Sequence, residues 1–185
     1  MYVEIEAKLK VPSLEPVEQR LAERGVAVSG PSVQTDAYFD TDDRTLTRTD
    51  QCIRLRRQAR AGQERAVLTY KGAKQTHDFK KREEVNIEIQ DAAAMERVLE
   101  SLGYHKVLAF NKHRRTSYVN ECEVALDELP LLGAFVEIEG PDSAHIAEVQ
   151  QELGLADVPN VMESYASMIQ TELSRRGQSQ HEVYL

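Results

Sequence analysis

The sequence predicts an α+β fold in which most strands run antiparallel. Three observations lead there. Short segments alternate apolar and charged residues with the two-residue period of a strand. Three such segments run into a helix-cap residue followed by apolar positions at helical spacing. The chain of 185 residues is long enough to bury one core and needs no second domain. We expect one domain over residues 1–176 and a flexible tail over residues 177–185.

The first unit opens with Glu4-Ile5-Glu6-Ala7-Lys8. Alternate strand residues share a face. Val3, Ile5, Ala7, Leu9 and Val11 therefore point one way, and Glu4, Glu6, Lys8 and Lys10 the other. Ser13 is the expected cap of the following helix, with Pro16 in its first turn, Val17 and Leu21 on one face and Gly25 at its end. Further strand patterns surround Ala37-Tyr38-Phe39, Cys52-Ile53-Arg54-Leu55-Arg56 and Ala66-Val67-Leu68-Thr69-Tyr70-Lys71. The segment from Gly72 to Lys81 is polar, lysine-containing and aperiodic, which predicts a mobile loop able to close over a ligand.

The second unit is Glu84-Val85-Asn86-Ile87-Glu88, followed by Asp91 as a cap and a helix through Met95, Val98, Leu99 and Leu102 to Gly103. Strand patterns return from Arg114 to Val119 and from Cys122 to Leu126. The third unit, Phe135-Val136-Glu137-Ile138-Glu139, turns through Gly140-Pro141-Asp142 into a helix carrying Ile146, Val149 and Leu153 and closing at Gly154. A fourth helix, from Glu163 to Arg176, carries Tyr165, Met168, Ile169 and Leu173 on one stripe. The count is about eight strands.

Composition excludes several classes. With 41% hydrophobic residues and no apolar run near the ~20 residues a span requires, membrane insertion is not expected. The N-terminus resembles neither part of a signal peptide, so the expected location is the cytoplasm. Cys52 and Cys122 lie far apart and outside C-x-x-C spacing, which predicts reduced thiols rather than a zinc site or disulfide scaffold. A net charge of −8 argues against nonspecific binding to nucleic acid or an anionic membrane, while leaving room for a local anion site.

That room is filled by the charged strand faces. A half-exposed antiparallel sheet would also alternate. Here, however, Arg54 and Arg56 share a face, as do Lys112 and Arg114, and arginine suits multidentate recognition of phosphate. Carboxylates are likewise paired at Glu4/Glu6 and Glu137/Glu139, where they repel unless a cation lies between them. There is no G-x-x-x-x-G-K-[ST] or G-x-G-x-x-G motif, so side chains rather than a helix N-terminus would hold phosphate. No Ser-His-Asp or Cys-His arrangement is evident, and His113, between Lys112 and Arg114, should point away from them.

Taken in order, these residues resemble the CYTH superfamily, the triphosphate tunnel metalloenzymes. Glu4-Ile5-Glu6-Ala7-Lys8 is similar to the family's E-x-E-x-K opening. Asp36 to Asp40, Ile53 to Arg56, Leu68 to Gly72, Arg82-Glu83-Glu84, Lys112-His113-Arg114, Leu126-Asp127, Leu132 to Glu139 and Ser164-Tyr165 follow in family order. The size and the Leu-Thr-Tyr-Lys-Gly block look most like the class IV adenylyl cyclase branch. The resemblance implies a closed eight-stranded antiparallel tunnel with helices outside and the charged faces turned inward. It implies triphosphate binding by Lys8, Arg54, Arg56, Lys71, Arg82, Lys112 and Arg114. Mg²⁺ or Mn²⁺ would be held by Glu4, Glu6, Glu137 and Glu139, with Asp127 and Glu84 as further candidates.

Tyr38 and Lys71 correspond to a Tyr–Lys pair that activates water in some triphosphatase members, since an ammonium nearby would lower the phenol pKa. Two activities are open: an adenylyl cyclase converting ATP to cyclic AMP and pyrophosphate, or a triphosphatase acting on tripolyphosphate, thiamine triphosphate or a nucleotide. A sensor that kept the tunnel and lost the chemistry is a third class, disfavoured by the intact acidic set. The expected partner is a small-molecule triphosphate, on a monomer or homodimer.

Overall fold

The computed structural model describes residues 3–73 and 80–185. Eight long strands form: β1 (Val3–Val11), β2 (Ser32–Asp40), β3 (Cys52–Arg60), β4 (Gln63–Lys71), β5 (Lys80–Ile89), β6 (His105–Val119), β7 (Cys122–Leu129) and β8 (Gly133–Glu139). A two-residue β9 (Glu182–Val183) follows. The helices are α1 (Glu15–Glu23), α2 (Thr45–Arg48), α3 (Ala92–Ser101), α4 (Ser143–Glu152) and α5 (Tyr165–Arg175).

The sheet runs β2-β3-β4-β5-β1-β8-β7-β6-β9. All pairings among the eight long strands are antiparallel. β2 also pairs with β6, from Ser32↔Arg114 to Asp40↔His105, with a register shift between Tyr38 and Phe39. β2 therefore has hydrogen-bonded neighbours on both sides.

The apolar faces pack outward on the helices. Leu9, Val124, Val136 and Ile138 meet Leu21 of α1 and Ile146 and Val149 of α4 in one core cluster. Phe39 and Leu55 meet Leu99 of α3 in a second. Burying each such side chain contributes roughly 1.5–3 kcal/mol, which fixes the opposite strand faces toward the interior. On that charged face Phe110, Phe135 and Leu129 meet Ile169 and Leu173 of α5 in a third cluster, which places the start of α5 against the cavity. Gly140 permits the close junction of β8 with α4, because a Cβ there would lie 2.6 Å from the sulfur of Cys122.

Caps form as expected at Asp91 and Asp142, and the fourth helix begins two residues later than Glu163, with Ser164 as its cap; all three side chains accept backbone N–H groups of the first turn. Ser13 does not cap α1. Buried Leu14 takes that position without a side-chain cap, and Pro16, having no N–H, removes one donor that would need capping. Val85 and Ile87 do not pack on a helix as alternation implied: they are 47% and 55% exposed on the outer face of β5.

The expected loop from Gly72 to Lys81 falls mostly on residues 74–79, outside the described residues, and Lys80 already belongs to β5. Beyond Gly177 the chain departs from the expected flexible tail. Glu182–Val183 pairs parallel with Ala109–Phe110, Val183 is buried against the α5 core, and the Leu185 N–H donates to Asn111 Oδ1 at 2.7 Å. Both cysteines are free thiols. Among the described residues no helix is long and apolar enough to cross a membrane.

Candidate active site

The charged strand faces converge on one cavity of about 570 Å³. Glu6 and Lys8 enter from β1, Asp36 and Tyr38 from β2, Arg54 and Arg56 from β3, Lys71 from β4 and Glu84 from β5. Lys112 and Arg114 enter from β6, Glu123 from β7 and Glu137 and Glu139 from β8, with Ser164 and Tyr165 at the start of α5. Glu4 and Arg82 lie on β1 and β5 opposite one another, but their side chains are outside the described residues.

Buried carboxylates position most of the cations. Arg56 donates to both oxygens of Asp36 at 2.6 and 2.7 Å. Burial favours the neutral acid there, but Arg56, Arg54 and Lys112 outweigh it and hold the Asp36 carboxyl well below its usual range. Arg114 donates to both oxygens of Asp127 at 2.6 and 2.5 Å and also to Glu137. Lys112 and the Tyr165 hydroxyl reach the same Asp127 carboxylate at 2.9 and 3.1 Å. Asp127 is fully buried and does not line the cavity. Its oxygens orient Arg114, Lys112 and Tyr165, and the geometry gives it a positioning role rather than that of a metal ligand facing substrate.

Lys8 lies 3.4 Å from Glu137 and 4.0 Å from Glu6, and donates to the Glu163 carbonyl at 3.1 Å. Its ammonium and that of Lys112 stand 4.3 and 4.9 Å from the centroid of the Tyr165 ring. That cation–π contact offsets part of the desolvation of two buried charges. Lys112 and Asp127 respond unequally to their pairing. The carboxylate faces two cations and is held below its ordinary range, whereas burial and then Arg114 lower the ammonium to about 8 despite Asp127.

On the opposite wall, Lys71 pairs with Glu84 at 2.5 Å, and Glu84, Asn86 and Thr69 are linked by hydrogen bonds of 2.8 and 2.7 Å. Thr69 accepts one bond from Arg54 at 3.3 Å, while the Arg54 Nε is buried with no hydrogen-bond partner. Burial opposes the charge on Arg54, but Asp36 and Glu84 keep it firmly protonated. Its guanidinium is thus charged, inside the cavity and incompletely bonded, which is how an anion-binding donor is prepared.

Tyr38 does not behave as the sequence led us to expect. Its ring stacks on Phe110 at 5.7 Å, and burial together with the nearby Asp36 charge raises the phenol pKa. With Lys71 held by Glu84, the geometry does not supply the phenolate that a general base requires. His113 is half exposed beside Glu128 and is absent from the cavity lining, as expected.

Glu6, Glu139 and Glu123 form one row across β1, β8 and β7, each directly opposite the next. Like charges placed so are destabilising without a cation. Among the described residues no group of three or more His, Cys, Asp or Glu side chains converges as a metal cage. The donor chemistry nevertheless fits Mg²⁺, which takes one or two carboxylates and completes its shell with water and substrate phosphate.

Asp36, Glu123 and Gln34 are cavity residues that sequence reading did not single out. Parity could have found two of them, since Gln34, Asp36 and Tyr38 are alternate residues of β2.

Residues 3–165 match the CYTH domain, and the chain belongs to that family. It is 30% identical over 137 residues to "Putative adenylate cyclase MJ0240" of Methanocaldococcus jannaschii, covering 74% of this chain and 76% of that protein. It is 29% identical over 150 residues to "Adenylate cyclase CyaB" of Aeromonas hydrophila, covering 76% and 74%. Among solved structures it is similar to the PH1819 protein of Pyrococcus horikoshii, with a TM-score of 0.78, 28% identity and coverage of 91% and 99%. A Hippeastrum adenylyl cyclase homologue, HpAC1, described as having a dominant triphosphatase activity, shares the fold at a TM-score of 0.66 and 20% identity, with coverage of 96% and 97%.

Proposed function

We propose that this CYTH protein is a divalent-metal-dependent adenylyl cyclase that converts ATP to cyclic AMP and pyrophosphate inside a closed β tunnel. The single observation that carries this reading is the convergence of Lys8, Arg54, Arg56, Lys112 and Arg114 on one cavity that also holds Glu6, Glu137 and Glu139. The β2–β6 pairing supports the tunnel, because it joins the two ends of the eight-strand order. Two relatives carrying the name adenylate cyclase support the choice of reaction.

A triphosphate leaves water at a large cost unless charge-assisted hydrogen bonds replace its hydration. The guanidiniums and ammoniums of the cavity supply those bonds from several walls, and their buried carboxylate partners fix their directions in advance. In the reaction the ribose 3′-hydroxyl gives up its proton to solvent as its oxygen forms a bond to the α-phosphorus, and the bond from that phosphorus to the bridging oxygen breaks, its electron pair leaving with pyrophosphate. The fixed cations stabilise the charge that grows on pyrophosphate, and positioning supplies much of the remaining acceleration. Glu6, Glu137 and Glu139 would hold Mg²⁺ or Mn²⁺, which adds positive charge beside the phosphates.

The second reading is triphosphate hydrolysis, favoured by the activity described for the HpAC1 homologue and by a cationic set that suits any triphosphate. Product analysis separates the two. Purified protein with ATP and Mg²⁺ or Mn²⁺ should release cyclic AMP and pyrophosphate. Orthophosphate from tripolyphosphate, with ATP yielding no cyclic AMP, would replace the cyclase reading with the hydrolase one.

A further inference from the structure

Two buried polar atoms that line the cavity have no hydrogen-bond partner, Arg54 Nε and Gln34 Oε1. They ask for opposite things. Arg54 lacks an acceptor, which a phosphate oxygen supplies. Gln34 lacks a donor, and an ionised phosphate has none to give. We propose that Gln34 reads the base of the bound nucleoside triphosphate, pairing its carboxamide with the amino edge of adenine. This inference rests on the nucleotide reading given above and extends it to a specificity residue.

Gln34 is 5% exposed, so leaving its carbonyl without a donor is costly unless a ligand or water supplies one. Its place in the sheet separates it from the phosphate-binding centre by one step. Across β2–β6 it faces Lys112, across β2–β3 it faces Gln58, and two residues along its own strand stands the Asp36 that holds Arg56. From Gln34 toward Ser32 the lining mixes hydroxyls with the charged side chains of Arg60, Arg114 and Glu123. Ser32 donates to the Arg114 carbonyl at 3.1 Å, and the Ser29 and Thr116 hydroxyls bond each other at 3.2 Å. The hydroxyls are occupied, whereas the Gln34 carbonyl is not. A carboxamide offers an acceptor and a donor side by side, the complement of the amino group and N7 of adenine, and such a bidentate pair discriminates by about tenfold or more. Hypoxanthine, with an oxo group in place of the amine, gives the Gln34 carbonyl no donor at that edge.

The test is calorimetric titration, with Mg²⁺ present, of α,β-methylene analogues of ATP, ITP and 2′-deoxy-ATP into the protein and Gln34→Leu. Tripolyphosphate is measured by competition. The protein should bind the ATP analogue about tenfold or more tightly than the ITP analogue. In Gln34→Leu that ratio should fall to about one, with tripolyphosphate binding within about twofold of the unsubstituted protein and the melting curve retained. An unchanged ratio in the variant, or no preference in the unsubstituted protein, would overturn the assignment. So would equal loss of all ligands, which marks a structural role, or a loss in Gln34→Leu shared by the ATP and ITP analogues and absent for the 2′-deoxy analogue, which moves the donor to the ribose. If no ligand binds the unsubstituted protein at all, the triphosphate reading itself fails.

Discussion

Arg114 and Asp127 face each other across β6 and β7 and are joined by two hydrogen bonds of 2.6 and 2.5 Å, with the carboxylate sealed from solvent. The same carboxylate takes Lys112 and Tyr165, so three groups of the cavity wall are set by one buried charge. Removing one partner of a buried pair leaves the other uncompensated. Asp127→Ala should therefore lose roughly 3–5 kcal/mol of stability by chemical denaturation. A loss below about 1 kcal/mol, the range of exposed pairs, would contradict the positioning role.

Lys112 makes ligand binding pH-dependent. Burial and then the neighbouring Arg114 lower its ammonium from the ordinary 10.5 to about 8 in the folded protein. Between those values the unfolded chain binds a proton that the folded chain lacks, so this group's contribution to stability rises with pH and its destabilising charge is fully present below pH 8. Triphosphate favours the ammonium, so binding at pH 9 should take up protons. Titrations in two buffers of different ionisation enthalpy measure the uptake, which Lys112→Met should abolish. Equal heats in both buffers for the unsubstituted protein would contradict the assignment.

Tyr38 should be dispensable as a base. Because its pKa is raised rather than lowered, Tyr38→Phe should keep kcat within roughly tenfold, short of the 10²–10⁴-fold typical of a lost general base. A larger fall in kcat with KM unchanged would restore the phenol to the chemistry.

Strand parity made much of the cavity legible from sequence. Arg54 and Arg56, Lys112 and Arg114, and Glu137 and Glu139 share faces in the primary structure and meet in space. Parity could not separate a group that lines the cavity from one sealed behind it. Asp127 and Glu137 were therefore read alike, although Asp127 is buried beneath Arg114. Nor could it anticipate Tyr38, whose pKa depends on burial against Phe110 and on Asp36, contacts set by the β2–β6 pairing. The caps at Asp91 and Asp142 are local and readable, whereas β9 depends on a distant edge of β6 and carries no local signal.

The acidic row predicts the metal dependence. Glu139 lies between Glu6 and Glu123 in register, so Glu139→Gln relieves repulsion in the metal-free protein while removing a ligand. Melting temperature without metal should stay the same or rise, and the Mg²⁺ concentration for half-maximal activity should increase about tenfold or more. An unchanged Mg²⁺ requirement would remove Glu139 from the metal set.

Arg54 provides the most direct test of the claim that interior cations bind a triphosphate. It is charged and half-buried, and its buried Nε has no hydrogen-bond partner. Charge-assisted hydrogen bonds are worth about 1.5–3 kcal/mol. Calorimetric titration of tripolyphosphate should show one site in the unsubstituted protein and an affinity weakened about 10–100-fold in Arg54→Leu, whose fold should persist because no carboxylate loses its sole cation. Equal affinities in the two proteins would contradict a triphosphate site in this cavity.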